Sequence, residues 1–164
     1  MNPSQIYHDA ADRTIRYLYH TRDRAICYGL GGGSGLGAQS FVCASDASFA
    51  DNTMDRKSSQ GYVMMLFGGP ISWRANKQDT VTTSSTEAEL LALSQTAREA
   101  LFIGRLFHAL TLELDEPMSV QCDNMQTIRL VCEESMKLQT KLRHVDIHNH
   151  WLRQEHAAGR IKIQ

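Results

Sequence analysis

The sequence has no apolar run that approaches the ~20 residues a membrane-spanning helix needs, and it does not open on a signal peptide. These absences predict a protein without a membrane anchor, in the cytoplasm or the nucleus. No Cys-x-x-Cys pairing occurs among the four cysteines, which are Cys27, Cys43, Cys122 and Cys132. Cys43 and Cys122 lie within apolar segments, where a thiol behaves as a small hydrophobic group, so we expect free, buried thiols in a reducing compartment.

An excess of charge of either sign is also missing. The net charge is −1, so the chain as a whole does not attract nucleic acid, and any such binding must come from local basic patches. A pure nucleic-acid-binding protein is therefore disfavoured, whereas an enzyme that meets phosphates through metal ions is not. With 164 residues the chain is long enough to bury a substantial core, and it predicts one main domain.

Glycine separates two unequal parts of the chain. Apolar residues recur at helical spacing through residues 3–20, which predicts an N-terminal helix, and residues 25–30 predict a short strand. Glycines crowd residues 29–40, and so many of them hold a single conformation only at a large entropic cost. We therefore expect an N-terminal helical arm at 1–28, a Gly-rich linker at 29–40 and a folded domain at 41–164.

The domain mixes strand and helix patterns in the order β-β-β-α-β-α-α-β. A Gly-Gly-Pro turn at 68–70 joins the second and third strands into a hairpin, whereas helices separate the later strands, which indicates parallel crossovers. The pattern predicts the α/β class, with a mixed sheet of three antiparallel strands followed by parallel strands and flanked by helices. The predicted strands are 41–45, 61–67, 71–75, 120–122 and 160–164, and the predicted helices are 85–112, 125–133 and 145–157.

Three acidic residues lie at the ends of predicted strands or near the start of a predicted helix. Asp46 follows the first strand, Asp123 follows the fourth, and Glu89 lies one turn into the long helix. In open α/β sheets the functional crevice lies at the carboxyl ends of adjacent parallel strands. Neighbouring carboxylates repel one another unless cations balance them, so the set favours a divalent-metal site for phosphodiester chemistry. Taken singly, an Asp after a strand is more often a turn or N-cap residue.

Helix geometry separates Glu89 from Glu87. Each residue turns a helix by about 100°, so side chains two positions apart point to nearly opposite sides. Small and apolar residues continue the Glu89 side, whereas the Glu87 side reads as more solvent-exposed. Ser84 and Glu87 also form a capping-box pattern, which gives Glu87 a structural role at the start of the helix. Glu89 is therefore the predicted site residue.

Six segments carry a resemblance to a known family. They are CASDASFA at 43–50, DRKSSQGY at 55–62, ISWR at 71–74, SSTEAE at 84–89, CDN at 122–124 and KLRHVDI at 141–147. In this order they resemble the ribonuclease H region of the polyproteins of copia-type (pseudovirus) LTR retrotransposons, and the similarity covers nearly all of residues 41–164. Residues 3–28 resemble the tail of the preceding reverse-transcriptase connection region.

The resemblance implies a ribonuclease H-like fold and hydrolysis of the RNA strand of an RNA–DNA hybrid. It also implies that Asp46, Glu89 and Asp123 are catalytic and bind Mg²⁺, or Mn²⁺, in a two-metal reaction. In an active element, the protein would reside in a virus-like particle.

The family pattern has a fourth carboxylate, on a final helix after the fifth strand, and this sequence stops within that strand. We therefore expect the last helix of the fold to be missing, and a homodimer contact or a partner chain to cover the sheet surface it would leave. Asp146 lies on the preceding helix, where we expect it to cap or orient that helix. Asp146 and its neighbour His144 are second-rank site residues.

Two groups of polar side chains are expected to meet the substrate. The first lies beside the carboxylates and comprises Ser48, Ser85, Thr86 and Asn124. The second is a basic cluster that comprises Lys137, Lys141, Arg143 and Arg153. This cluster either meets phosphates or is an ordinary solvated surface.

Histidines and tryptophans offer weaker signals in the same region. His144 and His148 have the i,i+4 spacing of a metal pair, but no acidic partner completes a zinc site, so a solvated helix face shared with His150 and His156 is favoured. Trp73 and Trp151 are expected in the core or at its rim rather than stacked on a base.

Three functional hypotheses follow. The first is a metal-dependent ribonuclease H. The second is a module with the same fold that has lost cleavage and acts in protein or nucleic-acid binding. The third is an integrase or transposase nuclease, which Glu89 argues against because those enzymes take their glutamate from a helix late in the chain.

Overall fold

A five-stranded mixed sheet is the centre of the computed structural model, which describes residues 4–26, 28, 41–112 and 118–164. The strands are β1 (Phe41–Ser48), β2 (Ser59–Leu66), β3 (Gly69–Lys77), β4 (Met118–Cys122) and β5 (Ile161–Ile163). Their order in the sheet is β3-β2-β1-β4-β5. β1, β2 and β3 pair antiparallel, whereas β1 with β4 and β4 with β5 pair parallel. The predicted mixed sheet is confirmed.

Helices flank this sheet as the α/β pattern requires. In the described part of the chain the helices are α1 (Gln5–Thr21), α2 (Ser85–Ala109), α3 (Met125–Cys132) and α4 (Arg143–Ala157). α2, α3 and α4 contact the sheet, whereas α1 has no buried residue and is not one of the flanking helices. α2 packs on β1, β2 and β4, and α4 packs on α2 and α3. The parallel strands β1 and β4 are thus joined by a crossover that contains α2, and β4 and β5 by one that contains α3 and α4.

The local sequence explains where α2 begins and how closely it approaches the sheet. Ser84 is its N-cap, and Ser84 Oγ accepts a hydrogen bond of 3.2 Å from the backbone N–H of Glu87. Further along, Ala97 and Ala100 are fully buried. Such small side chains let the helix lie close to the strands. The same helix therefore holds Glu89 directly over β1.

The core lies between α2, α4 and one face of the sheet. Its largest fully buried apolar side chains are Met64, Leu90, Leu93, Val120, Val145, Leu152 and Ile161. Burial of such side chains supplies the dominant favourable term in folding.

Truncation of Leu93 to Ala is expected to lower the free energy of unfolding by about 2–5 kcal/mol, because a fully buried side chain leaves a cavity in a packed core. Leu106→Ala, in the same helix, is the matched control, since Leu106 is 42% exposed and its loss should cost less than about 1 kcal/mol. Urea unfolding of both variants measures the difference. Equal losses for the two would contradict this assignment of the core.

The structure corrects three boundaries near the first hairpin. β1 does not end before Asp46 but continues through it to Ser48, because antiparallel pairing with β2 runs on to the pair Ser48↔Ser59. The hairpin turn is not at 68–70. Its residues Phe67 and Gly68 both have positive φ, as in a type I′ turn. Gly69 and Pro70 belong instead to β3, an edge strand, where proline is tolerated.

The N-terminal part agrees with the sequence in its helix and differs in its strand. α1 lies where residues 3–20 predicted it, and none of its residues is buried. The predicted strand at 25–30 is not seen at 25, 26 or 28, and its other residues, like the Gly-rich linker and Cys27, lie outside the described residues. The division into arm, linker and domain stays a prediction. None of the helices in the described ranges has the length and apolar character to cross a membrane.

Candidate functional site

Asp46 and Asp123 lie side by side at the end of the parallel pairing between β1 and β4. The last parallel pair in that ladder is Ser45↔Cys122, and each aspartate directly follows one member of it. Both aspartates are solvent-exposed. The carboxyl-end rule therefore brings them to one edge of the sheet, as the sequence predicted, although Asp46 is still within β1.

Glu89 reaches the same edge from α2. Its Oε1 accepts a hydrogen bond of 3.3 Å from the backbone N–H of Ala47, the residue after Asp46. Glu89 is only 6% exposed, and within the described part of the chain its buried Oε2 has no hydrogen-bond partner. A buried carboxylate oxygen without a donor is costly, so this position is suited to a bound cation or a proton.

Electrostatics supports that interpretation. Burial raises the pKa of Glu89 to about 7, with a further upward contribution from the charge of Asp123 and a smaller one from Asp46, against the opposing effect of the Ala47 N–H. Neighbouring carboxylates that cannot all ionise together are the usual condition of a site built for cations.

The stability of the metal-free protein should reveal this titration. Because the pKa of Glu89 is higher in the folded state than in the unfolded chain, the folded state binds the proton more tightly. The resulting stabilisation is complete below about pH 4.5 and is lost as pH rises through about 7, with an expected loss of about 3 kcal/mol. Urea unfolding in chelator across this pH range, compared with Glu89→Gln, isolates the effect. Parallel pH profiles for the two proteins would contradict it.

A thiol joins two of the carboxylates. One ligand atom each from Glu89, Cys122 and Asp123 lies within 4.8 Å of the others. Asp46 is not a member of this group, although its charge acts on both Glu89 and Cys122. The predicted free, buried thiol is confirmed for Cys43 and Cys122, but the position of Cys122 beside the carboxylates was not predicted. The signal was its position immediately before Asp123.

Glu87 is buried. The prediction that it lies on a solvent-exposed side of the helix is wrong. Glu87 is 2% exposed, and its Oε2 accepts hydrogen bonds from the backbone N–H and the hydroxyl of Thr83 at 2.6 and 2.7 Å. Its Oε1 accepts from the Thr140 hydroxyl at 2.5 Å. Burial acts to raise the pKa of Glu87, but the bonds from Thr140 and Thr83 outweigh it, so the pKa is lowered. The predicted structural role of Glu87 fits these bonds.

Two of the residues predicted to contact the substrate form hydrogen bonds with other residues of the protein instead. Thr86 is buried, and its hydroxyl donates to Gln126 Oε1 at 3.1 Å. Asn124 is the N-cap of α3, and its Oδ1 accepts from Thr127 N at 3.0 Å. Thr86 therefore joins α2 to α3, whereas Asn124 fixes the start of α3.

The other predicted contacts lie on the surface. The structure exposes the side chains of Ser48, Ser85, Lys141 and Arg143. Lys137, from the predicted basic cluster, is exposed as well. Arg153 is different, because its guanidinium donates to Met136 O at 2.8 Å and to Glu133 O at 2.9 Å. Arg153 therefore stabilises the segment between α3 and α4, and these bonds occupy donors that would otherwise bind a phosphate.

The histidines do not all lie on a solvated helix face. His148 Nδ1 is 2.8 Å from Ser94 Oγ on α2, and burial, then Arg98 and His144, lower its pKa. His144 Nε2 is 3.1 Å from Thr80 Oγ1. These two histidines tie the start of α4 to α2 and the segment before it.

Asp146 does not cap α4. The N-cap of α4 is Leu142, which makes no side-chain capping bond. Asp146 Oδ1 instead lies 3.7 Å from His150 Nε2 in an exposed pair. The two tryptophans also differ from each other, since Trp151 packs partly buried against the core whereas Trp73 is 65% exposed on β3.

A polar cavity of about 480 Å³ beside α2 was not predicted. Its wall includes a chain of amides in which Gln78 Nε2 donates to Gln60 Oε1 at 3.0 Å and Gln60 Nε2 donates to Gln95 Oε1. Gln60 pairs with Ala47 of β1 across the sheet, but the residues that line the cavity do not include Asp46, Glu89 or Asp123. Its lining residues come from β2, β3, α2, α4 and the loop after β3, and residues so dispersed give no sequence pattern that reveals the cavity.

Solved structures show the class of the fold. LC11-RNase H1, isolated from compost by a metagenomic approach, superposes with a TM-score of 0.56 over 77% of this chain and 83% of its own, at 13% identity. The same protein in complex with an RNA/DNA hybrid gives 0.54 over 76% and 83% at 12% identity. This protein is a ribonuclease H-like domain in its fold.

Sequence relatives show the family. The Pol polyprotein of transposon TNT 1-94 from Nicotiana tabacum is 33% identical over 93% of this chain, and that of transposon RE2 from Arabidopsis thaliana 32% over 98%. Each alignment spans 11% of the polyprotein. Secreted RxLR effector protein 161 of Plasmopara viticola is 39% identical over 62% of this chain and 68% of its own. No family model matches. The chain belongs to the family of retrovirus-related Pol polyproteins of copia-type transposons and corresponds to their ribonuclease H region.

Proposed function

We propose that this domain is a divalent-metal-dependent ribonuclease H that cleaves the RNA strand of RNA–DNA hybrids. Its catalytic, metal-binding residues would be Asp46, Glu89 and Asp123. One observation carries the proposal. Glu89, a buried carboxylate with an unpartnered oxygen and a pKa of about 7, faces two exposed aspartates at the carboxyl ends of parallel strands, in a ribonuclease H-like fold.

The donor set fits a hard divalent cation. Asp46, Glu89 and Asp123 offer carboxylate oxygens, which are the ligands that Mg²⁺ and Mn²⁺ prefer. The unpartnered Oε2 of Glu89 and its pKa, which is raised first by burial and then by the charges of Asp123 and Asp46, both favour a bound cation. These three residues would hold the ion, which supplies Lewis-acid stabilisation of the charge that develops on the phosphate.

The three carboxylates differ in what they do for the reaction. Glu89 is fixed by the Ala47 amide and by burial, so it anchors the site and keeps its geometry from one turnover to the next. Asp46 and Asp123 are exposed and therefore accessible to a phosphodiester backbone. Preorganised groups of this kind contribute most where they require no rearrangement during the reaction.

The substrate assignment rests on the fold and on nearby surface groups. LC11-RNase H1 is similar in fold and has been solved with an RNA/DNA hybrid. On this chain, the exposed Ser48 adjoins the carboxylates at the end of β1 and Ser85 begins α2, while Lys141 and Arg143 offer positive charge at the start of α4. We propose that these four side chains contact the hybrid backbone.

Cleavage of an end-labelled RNA strand tests the function directly. The full chain should cut RNA internally when it is paired with DNA and supplied with Mg²⁺ or Mn²⁺, and cleavage should stop in chelator. The same RNA in single-stranded form and a DNA duplex of the same sequence are the controls. Binding of the hybrid without any cleavage under either ion would overturn the proposal and favour a binding module of the same fold.

A further inference from the structure

Cys122 brings a sulfur atom to a site that otherwise offers oxygen. It is the last residue of β4, its side chain is 7% exposed, and its Sγ lies within 4.8 Å of a carboxylate oxygen of Glu89 and one of Asp123. Among the described residues this is the only such cluster of three histidine, cysteine or acidic side chains. The thiol packs in the buried core as a small hydrophobic group, and the hydrolysis proposed above does not use it.

A second observation shows that the cluster has unused capacity for a ligand. Glu89 is a member of it and is 94% buried, and in the described structure the Glu89 Oε2 atom has no hydrogen-bond donor. The other oxygen, Oε1, is occupied by the Ala47 N–H. A buried acceptor without a donor, next to a thiol and a third ligand, is the arrangement that a small cation completes.

The donor set determines which cations bind best. Mg²⁺ takes oxygen ligands in an octahedral arrangement and does not use sulfur. Zn²⁺ and softer ions of the same charge accept thiolate with carboxylate in four-coordinate sites, often with three protein ligands and one open position. Two oxygens and one sulfur therefore suit a thiophilic ion better than the hard ion expected to support the reaction.

We propose that Glu89, Cys122 and Asp123 form a binding site for a thiophilic divalent cation such as Zn²⁺ or Cd²⁺, and that this ion inhibits the domain by taking two carboxylates away from the hard ion. Binding releases the thiol proton to solvent, since the thiolate is the ligand. The inhibition rests on the proposed ribonuclease function. The binding does not, so the two can be tested separately.

Direct titration with Cd²⁺ tests the site. Cadmium–thiolate bonds give a charge-transfer absorption in the ultraviolet, so the full chain in Mg²⁺-free buffer should develop a saturable band that Cys122→Ser lacks. Cys132→Ser is the matched control, because Cys132 is a free, half-buried thiol that is not in the cluster, and it should keep the band. Glu89→Gln should weaken the apparent affinity at least tenfold. Cys122→Ala, with circular dichroism of each variant, separates loss of the ligand from loss of the fold.

Two results would overturn the proposal. One is a band of equal size and affinity in the wild type and in folded Cys122→Ser. The other is a band that Cys132→Ser removes. If hybrid cleavage is measurable, Zn²⁺ should inhibit the wild type at concentrations at least tenfold below those for Cys122→Ser, each relative to its own uninhibited rate. If cleavage is absent in every ion, the proposed function fails, while the cadmium band still decides whether the site exists.

Discussion

Replacement of Glu89 by Gln is expected to lower the rate of hybrid cleavage by a factor on the order of 10²–10³, comparable to the loss of one group that stabilises charge in a transition state. Gln keeps the size of the side chain and an oxygen that accepts from Ala47 N, so the helix stays docked on β1. It removes the negative charge that a hard divalent cation would share with Asp46 and Asp123. The measurement is single-turnover cleavage of a labelled hybrid at saturating Mg²⁺.

Glu99→Gln is the matched control, because Glu99 lies on the same helix and is not part of the carboxylate group. It should cleave at the wild-type rate. Asp46→Asn and Asp123→Asn should show losses similar to that of Glu89→Gln, since all three would hold the same ion. Wild-type cleavage by a folded Glu89→Gln protein would rule out this glutamate as a ligand of the reactive ion.

The sheet and the approximate site follow from short-range signals in the sequence. Apolar runs gave the strands within a few residues, and the carboxyl-end rule placed Asp46 and Asp123 at one edge because β1 and β4 are parallel neighbours. The helix period separates Glu89 from Glu87, and the capping-box pattern at Glu87 together with the small, apolar residues on the Glu89 side selects Glu89. These features depend on local pattern and on one rule of topology.

The errors have a common cause in contacts between distant parts of the chain. The Glu87 side of α2 seemed solvent-exposed because the residues that cover Glu87 include Thr140, 53 positions further along. His148 read as a surface residue for the same reason, since its partner Ser94 is 54 positions away. The position of Asp46 within β1 depends on pairing with β2, which extends past the apolar part of the strand. Cys122 shows the same limit, since its neighbour Glu89 at the site comes from α2, 33 positions earlier.

Removal of the Glu87 carboxylate should have the largest effect on stability outside the apolar core. Glu87→Ala leaves the Thr83 N–H and the hydroxyls of Thr83 and Thr140 without their acceptor, in a place where Glu87 itself is 2% exposed. An unsatisfied buried group costs about 1–3 kcal/mol; because Thr83 is exposed and Thr140 half-buried, water can reach part of these donors, and the free energy of unfolding should fall by about 1–3 kcal/mol. Urea unfolding near neutral pH measures it.

The two glutamates of α2 can be told apart by pairing stability with cleavage. Glu87→Ala should lose stability yet cleave hybrid at nearly the wild-type rate per folded molecule, whereas Glu89→Gln should lose cleavage and keep the fold. The pH dependence should differ as well, because the lowered pKa of Glu87 gives stability that is present above about pH 4.5 and is lost as the pH falls further. Glu87→Ala should abolish that acid-side loss. A Glu87→Ala protein as stable as the wild type would show that these hydrogen bonds do not hold the start of α2, and loss of cleavage by a fully folded Glu87→Ala would move Glu87 into the site.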